Sequence, residues 1–159
     1  MDWLLLLALW LHTIALVIAV GYYGVLARIV IPALERSLHG SDLADALAGV
    51  ERRALPLVLL AVALFVVTGS YLLVVNPDYQ GLGHFFDTTW ATLILIKHGV
   101  VLVLVAVGVL IDWVARGLPL ARDDDEFRRD VRRVRISADL ATGLGALAIL
   151  LTVAAQVSA

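Results

Sequence analysis

The chain has 159 residues, of which 62% are hydrophobic, and a mean hydropathy of +0.96. This composition excludes a water-soluble globular domain and is typical of an integral membrane protein. The absence of cysteine excludes disulfides, thiolate metal sites and thiol redox chemistry. The formal net charge of −2 says little about partners, because the charges are segregated along the chain.

Four apolar runs are long enough to cross the hydrocarbon core, which takes about 20 helical residues. They cover residues 3–31, 55–75, 90–114 and 136–157. We therefore predict an all-α fold, an antiparallel four-helix membrane bundle that forms one transmembrane domain over residues 1–159. The first run is expected to remain as a helix, because it lacks a basic start and exceeds the roughly 7–15 apolar residues of a signal peptide.

The basic residues predict the orientation of the bundle. Lys97 is the only lysine among the 12 basic residues, and every arginine lies in or beside the connections 32–54 and 115–135. The connection 76–89 carries none. Under the positive-inside rule the connections 32–54 and 115–135 are cytoplasmic, so both termini face outward and the chain is a multi-pass protein of the inner (plasma) membrane.

Charged residues in the connections have structural interpretations. The acidic run 123–126, followed by arginines, predicts a helix N-terminus at the membrane surface and not a nucleic-acid site. Ser41 and Asp42 predict the N-cap of a short helix over residues 43–50. Asp139 follows Arg135 by four residues, a spacing that predicts an ion pair on one helix.

Two histidines lie at matching depths. His12 is nine residues into the first predicted helix and His98 is eight residues into the third, so each lies roughly 12–14 Å below the outer surface. An iron porphyrin takes one axial imidazole from each of two facing helices, and helix bundles build cofactor sites from inward side chains. The pair therefore predicts a b-type haem between the first and third helices.

Other interpretations remain open for these residues. His12 could instead be a buried histidine bonded to a backbone carbonyl, to Thr13 or to Tyr71. Since adjacent helical residues point about 100° apart, only one of Lys97 and His98 is expected to face inward. Four further polar residues could line the same pocket or bond the carbonyls one turn earlier: Thr68, Ser70, Thr152 and Gln156.

Several short motifs together resemble the CopD (copper-resistance protein D) domain and its relatives of the HemJ type, the haem-binding membrane protoporphyrinogen oxidases. The motifs are Leu11-His12, Gly21, Pro32-Ala33-Leu34, Thr68-Gly69, Leu95-Ile96-Lys97, Arg135 and Asp139. The HemJ resemblance implies His12 and Lys97 as haem ligands. It also adds Arg28, which falls where those proteins have an arginine, to the cofactor-binding residues. The CopD resemblance implies copper uptake or tolerance.

Our main sequence-based hypothesis is a haem-binding redox protein, an oxidoreductase or electron carrier whose partner is a quinone or porphyrin. His12 and His98 are the preferred axial ligands, with Lys97 as the alternative ligand or as the cation beside a haem propionate. Composition favours haem over copper, because Cu(I) prefers sulfur ligands and Met1 is the only methionine.

Two alternatives belong to other classes. A histidine-based copper transporter predicts that His84, His12 and His98 form a line from the outer surface inward. A cofactor-free assembly subunit predicts that the small residues of the fourth helix pack against another protein. Those residues are Ala141, Gly145, Ala148 and Thr152. Homodimerisation is a further expectation, because four helices of this size bury little surface in the membrane plane.

Overall fold

The computed structural model describes residues 2–121 and 123–158. Its α-helices are α1 (Trp3–Val25), α2 (Ile31–Ser37), α3 (Gly40–Val74), α4 (Thr89–Gly117) and α5 (Asp124–Val157). A π-helical turn, Leu26–Val30, joins α1 to α2, and short 3₁₀ turns lie at Leu82–His84 and Leu118–Leu120. The four resulting helical segments are long and apolar enough to span a membrane, which confirms the all-α membrane bundle. Arg122, one of the arginines behind the predicted orientation, lies outside the described residues.

The first segment changes helical pitch where proline enters it. Pro32 lies at the start of α2 and has no amide hydrogen to donate to the carbonyl of Arg28. The chain widens into the π-helical turn Leu26–Val30 just before it, so the helix continues to Ser37 without a break. The predicted end of the first helix at residue 31 is therefore six residues short.

The connection between the first two spanning segments is much shorter than predicted. Only Leu38 and His39 separate α2 from α3, and Gly40 adopts a φ of +55°, which glycine tolerates without strain. The prediction of a separate helix over residues 43–50 is wrong, because this stretch forms the first turns of α3. His39 is the N-cap residue, and Ser41 and Asp42 lie inside the first turn.

The predicted acidic helix start is confirmed in α5. Asp123 is the N-cap residue, and its side chain accepts a hydrogen bond of 2.7 Å from the amide of Glu126. Three acidic residues occupy the first turn, where the partial positive charge of the helix N-terminus stabilises them. The predicted connection 115–135 is thus mostly helical, because α5 begins at Asp124.

The long helices pack in a closed ring. α1 contacts α3 and α5, while α4 packs most extensively on α5 and only lightly on α3. α1 and α4, which carry the two predicted ligand histidines, therefore stand at opposite corners of the bundle. The seam between α3 and α4 is the loosest of the four.

The two ends of the bundle differ in packing. We call the end where α1 and α4 begin and α3 and α5 end the open end, and the opposite one the closed end. The main hydrophobic core fills the closed end and includes the fully buried Leu26, Ile111 and Val134. A small cluster around Trp90 and Ala155 is packed at the open end. Apolar side chains on the outer helix faces remain exposed, as a lipid environment permits.

The small-residue stripe of α5 packs inside the bundle. Ala141 and Ala148 are 0% and 1% exposed, and Gly145 lies directly against the side chain of Val20 on α1. Thr152, the last member, donates a hydrogen bond to the carbonyl of Ala148. The expectation that this stripe packs against another protein is therefore wrong, because most of it is already buried within the bundle.

A candidate site in a histidine-lined cavity

A cavity of about 490 Å³ occupies the open end of the bundle. All four long helices contribute to its walls, which are mainly leucine, isoleucine and valine side chains. The polar side chains that line it include His12, Ser70, Asn76, Lys97, His98, Thr152 and Gln156. The structure thus brings His12, Lys97 and His98 into one cavity, although they come from helices at opposite corners of the bundle.

His12 is held against α3 by a hydrogen bond. Its Nδ1 lies 3.1 Å from the carbonyl oxygen of Phe65 and 3.0 Å from the hydroxyl oxygen of Thr68. The Thr68 hydroxyl donates its own hydrogen to the carbonyl of Leu64, so its oxygen can accept from His12. Nδ1 therefore carries the hydrogen, and the lone pair of Nε2 is available to a metal.

The His12 ring also packs closely against Phe65 and Gly69 of α3. It stacks on the ring of Phe65 with centroids 4.1 Å apart and planes inclined by 21°. A Cβ atom on Gly69 would lie 2.9 Å from Cε1 of His12, closer than carbon atoms approach. The Thr68-Gly69 pair therefore provides an acceptor and a space for the imidazole. The expected partners of a buried His12 were a backbone carbonyl, Thr13 or Tyr71. The Phe65 carbonyl fulfils the first of these, whereas Thr13 bonds the carbonyl of Leu9.

His98 and Lys97 both line the cavity. Nδ1 of His98 donates to the carbonyl of Ile94 one turn earlier, over 2.7 Å, which again leaves Nε2 available. Lys97 is half-buried and has no carboxylate within 4.0 Å among the described residues. The expectation that only one of Lys97 and His98 faces inward is wrong, because both residues line the wall of this wide cavity.

Arg28 lies far from this cavity. It is sixteen residues beyond His12 along the first segment, or about 24 Å, and its Nε donates to Asp139 over 3.2 Å. Arg135 approaches Glu35 at 3.9 Å. The predicted pair between Arg135 and Asp139 is therefore wrong, because both residues find partners on the first segment instead of on their own helix.

His84 does not line the cavity. It lies in the exposed loop before α4, and its Nδ1 is 2.6 Å from the carboxylate of Asp87. Of the three histidines in the line that the copper hypothesis predicts, His12 and His98 line this cavity and His84 does not.

A second cavity of about 310 Å³ adjoins the first along the loose seam between α3 and α4. The two share Phe65, Val66 and Val101 as lining residues. The second cavity ends toward the closed end at Asp112 and Arg116, which form an ion pair of 2.9 Å. An almost continuous cleft therefore follows the seam from one end of the bundle toward the other.

Glu51 is a buried polar residue that the sequence analysis missed. It is 5% exposed and lies beside the Tyr22 hydroxyl, with Asp112 and Arg116 nearby. Neither Glu51 Oε1 nor the Tyr22 hydroxyl has a hydrogen bond of good geometry within the described ranges. Glu51 falls within the predicted connection 32–54, and the adjacent Arg52 and Arg53 are typical of a solvated segment. Its burial follows only from its position on the inward face of α3.

The donor set limits what metal site the cavity can form. Across residues 2–121 and 123–158, no group of three or more histidine or acidic side chains is placed to hold a metal ion. A metal in the cavity could therefore use His12 and His98 as nitrogen ligands only if water, Lys97 or a ligand that it brings completed its coordination.

The fold and the composition define a multi-pass inner-membrane protein with a polar site inside a helical bundle. The family model for copper resistance protein D (CopD) matches residues 48–155, more than half of the chain, and the protein belongs to that family. Comparisons with curated proteins and with solved structures returned no match. The family assignment confirms the CopD part of the resemblance seen in the sequence.

Proposed function

We propose that the protein handles copper as cargo and passes it through the histidine-lined cavity at the open end of the bundle. The observation that carries the proposal is the pair of histidines, His12 and His98, which line one cavity with Nδ1 bonded and Nε2 available. Membership of the copper resistance protein D family supports copper as the metal. Under the positive-inside rule the open end faces outward, so the cavity would receive copper from outside.

The ligand chemistry favours passage over storage. Imidazole binds copper, but the soft sulfur ligands that hold Cu(I) most tightly are missing, because the chain has no cysteine and only Met1 as methionine. A site with two imidazoles therefore binds Cu(I) more weakly than a sulfur-rich one. Transport requires binding that is favourable enough for entry and weak enough for release. The cleft along α3 and α4 supplies a direction for movement toward the closed end.

A b-type haem is the second candidate, and the same two imidazoles favour it. They come from opposite corners of the bundle, the walls between them are apolar, and Lys97 could pair with a propionate. Bound haem would supply one-electron transfer, with a quinol or a porphyrin as its partner. His12 would be oriented by Phe65 and Thr68 in either case, because both metals bind the same ring nitrogen.

The test is copper uptake by proteoliposomes that contain the purified protein, with radioactive copper supplied outside. His12→Ala and His98→Ala are each expected to lower the initial rate about tenfold or more, by analogy with losses at metal sites. His84→Ala and His39→Ala are matched controls, because both histidines lie outside the cavity. Equal rates for His12→Ala and His84→Ala would contradict the proposal.

An oxidised-minus-reduced visible spectrum of the same samples separates the two candidates. A Soret band with sharp reduced bands, lost in His12→Ala but kept in His84→Ala, would establish the haem candidate. Copper uptake that depends on His12 in protein without such a spectrum would establish the copper candidate. The expression strain must have haem available, so that a colourless protein is informative.

A further inference from the structure

Lys97 is a cation with no counter-charge among the described residues that line the cavity. It lies eight residues into α4, it is half-buried, and no carboxylate of the described chain comes within 4.0 Å of it. By contrast, Arg28 and Arg116 are paired with carboxylates even though their side chains are largely exposed. An ionisable group at membrane depth is costly unless it meets a partner, a ligand or water, so Lys97 indicates a ligand of opposite charge.

The neighbouring polar side chains complement an anion as well. The Ser70 hydroxyl and the Gln156 amide line the cavity, and neither has a hydrogen-bond partner within residues 2–121 and 123–158. Together with the ammonium group of Lys97 they offer hydrogen-bond donors. The imidazole lone pairs in the cavity are those of His12 Nε2 and His98 Nε2, which suit a metal cation. The site thus presents groups for a cation and groups for an anion in one space.

We infer that Lys97 binds a small inorganic anion, of which chloride is the simplest, and that the anion enters the cavity together with the metal. This inference rests on the proposed copper function and names its substrate as a copper–halide complex. Without an anion, copper and Lys97 would place two like charges in an apolar cavity. The volume of about 490 Å³ admits both ions and several waters, since one water takes about 30 Å³ of liquid volume.

The experiment measures copper binding by the purified full chain in detergent, in chloride and in gluconate at equal ionic strength. A competing chelator sets the same free copper activity in both media, and the constant ionic strength removes general screening. We expect about tenfold tighter copper binding in chloride for the wild type. Lys97→Gln should bind copper equally in both media, while Lys97→Arg should retain most of the chloride effect because it keeps the charge.

A second measurement locates the anion directly. Broadening of the chloride-35 magnetic resonance line is expected when copper is added to the wild type, and not when it is added to Lys97→Gln. Broadening of equal size without copper would overturn the claim that the anion enters with the metal. Size-exclusion profiles and circular dichroism check that both Lys97 variants fold.

The two proposals fail in different ways. Copper binding that depends on His12 but neither on chloride nor on Lys97 would overturn the anion inference and leave the copper function standing. Copper binding that survives in His12→Ala would overturn the proposed function itself. An effect of chloride that persists in Lys97→Gln would assign the anion to another residue and also overturn the inference.

Discussion

The position of the His12 imidazole is decided by residues on another helix. α1 supplies the side chain, but α3 supplies the hydrogen-bond acceptors at Phe65 and Thr68 and the space at Gly69. A ligating histidine whose second nitrogen is bonded keeps one tautomer and one ring orientation. The affinity of the cavity for a metal should therefore respond to α3 residues that never touch the metal.

Gly69→Ala should displace the His12 ring without unfolding the protein. The new methyl group would lie 2.9 Å from Cε1 of His12. The imidazole must therefore shift by several tenths of an ångström or move away from α3. We expect copper affinity to fall about tenfold, within the range for loss of support around a metal ligand. Competition with a copper chelator measures the change.

The control for that substitution is Gly21→Ala. Gly21 is also a helical glycine, but a Cβ there meets nothing within 4 Å among the described atoms. It should leave copper affinity unchanged and stabilise α1 by about 0.5–1 kcal/mol. An equal loss of affinity in both variants would show that the effect at Gly69 is not steric.

Thr68→Val tests the second acceptor of His12. Valine keeps the shape of threonine but removes the oxygen that lies 3.0 Å from Nδ1. The Phe65 carbonyl remains, so the ring is held less firmly and copper affinity should fall by a few-fold to about tenfold. Thr13→Val is the matched control, because Thr13 bonds the carbonyl of Leu9 on the exposed face of α1.

Helix α5 fixes the register of α1 through small residues. Gly145 faces the side chain of Val20. A Cβ atom placed on Gly24 would lie 3.5 Å from the side chain of Thr142. Close approach of this kind lets helices pack in lipid, where no hydrophobic effect drives them together. The rotation of α1 that turns His12 toward α3 depends on this contact.

Gly145→Ala should destabilise the bundle. A Cβ at this position would overlap the side chain of Val20, and overpacking of a tight contact costs about 1–3 kcal/mol. Unfolding in mixed micelles of increasing denaturing detergent measures the loss. Gly143→Ala is the control on the same helix, since its added Cβ meets no described atom within 4 Å, and a higher stability is expected for it. Equal stability of the two variants would contradict the packing argument.

The ion pair between Arg28 and Asp139 joins the first segment to α5 at the closed end. Its side chains are 73% and 44% exposed, so a double-mutant cycle should give a coupling below about 1 kcal/mol. Arg28→Ala should also leave copper affinity unchanged, because the residue is remote from the cavity. A large loss of copper binding in Arg28→Ala would contradict this separation of the ion pair from the cavity.

At the scale of the whole molecule, the orientation in the membrane can be tested by cysteine labelling. The natural chain has no cysteine, so a single introduced one is the only thiol that reacts. Leu82 and Leu120 lie in opposite connections and are 76% and 81% exposed. Leu82→Cys should react with a membrane-impermeant maleimide on intact cells, and Leu120→Cys only after permeabilisation. The reverse pattern would place the cavity on the cytoplasmic side.

The open and closed ends of the bundle differ in packing, so the molecule is asymmetric from one end to the other. The main core packs the closed end around Leu26 and Ile111, while the open end encloses the larger cavity. In the proposed function, copper would occupy the larger cavity at the open end, and the second cavity would lie beyond it along the loose seam of α3 and α4. This asymmetry suits a protein that accepts cargo from one side.

The sequence by itself determined the environment, the number of spanning segments and the residues of the candidate site. Hydropathy counts apolar length and needs no knowledge of neighbours, so the four segments were predictable. His12, His98 and Lys97 could be identified because ionisable groups are rare at membrane depth. The helix ends were less predictable, because α3 and α5 continue as amphipathic helices beyond the apolar runs that hydropathy detects.

Only the tertiary structure decided which helices meet and what each polar group contacts. The partners of His12, Arg28 and Arg135 lie on other segments, at sequence separations that no local spacing encodes. The burial of Glu51 and the internal position of the α5 stripe likewise depend on helix rotation. Close packing, such as that of Val20 on Gly145, sets this rotation. Such packing contributes to stability only when both helices are in place.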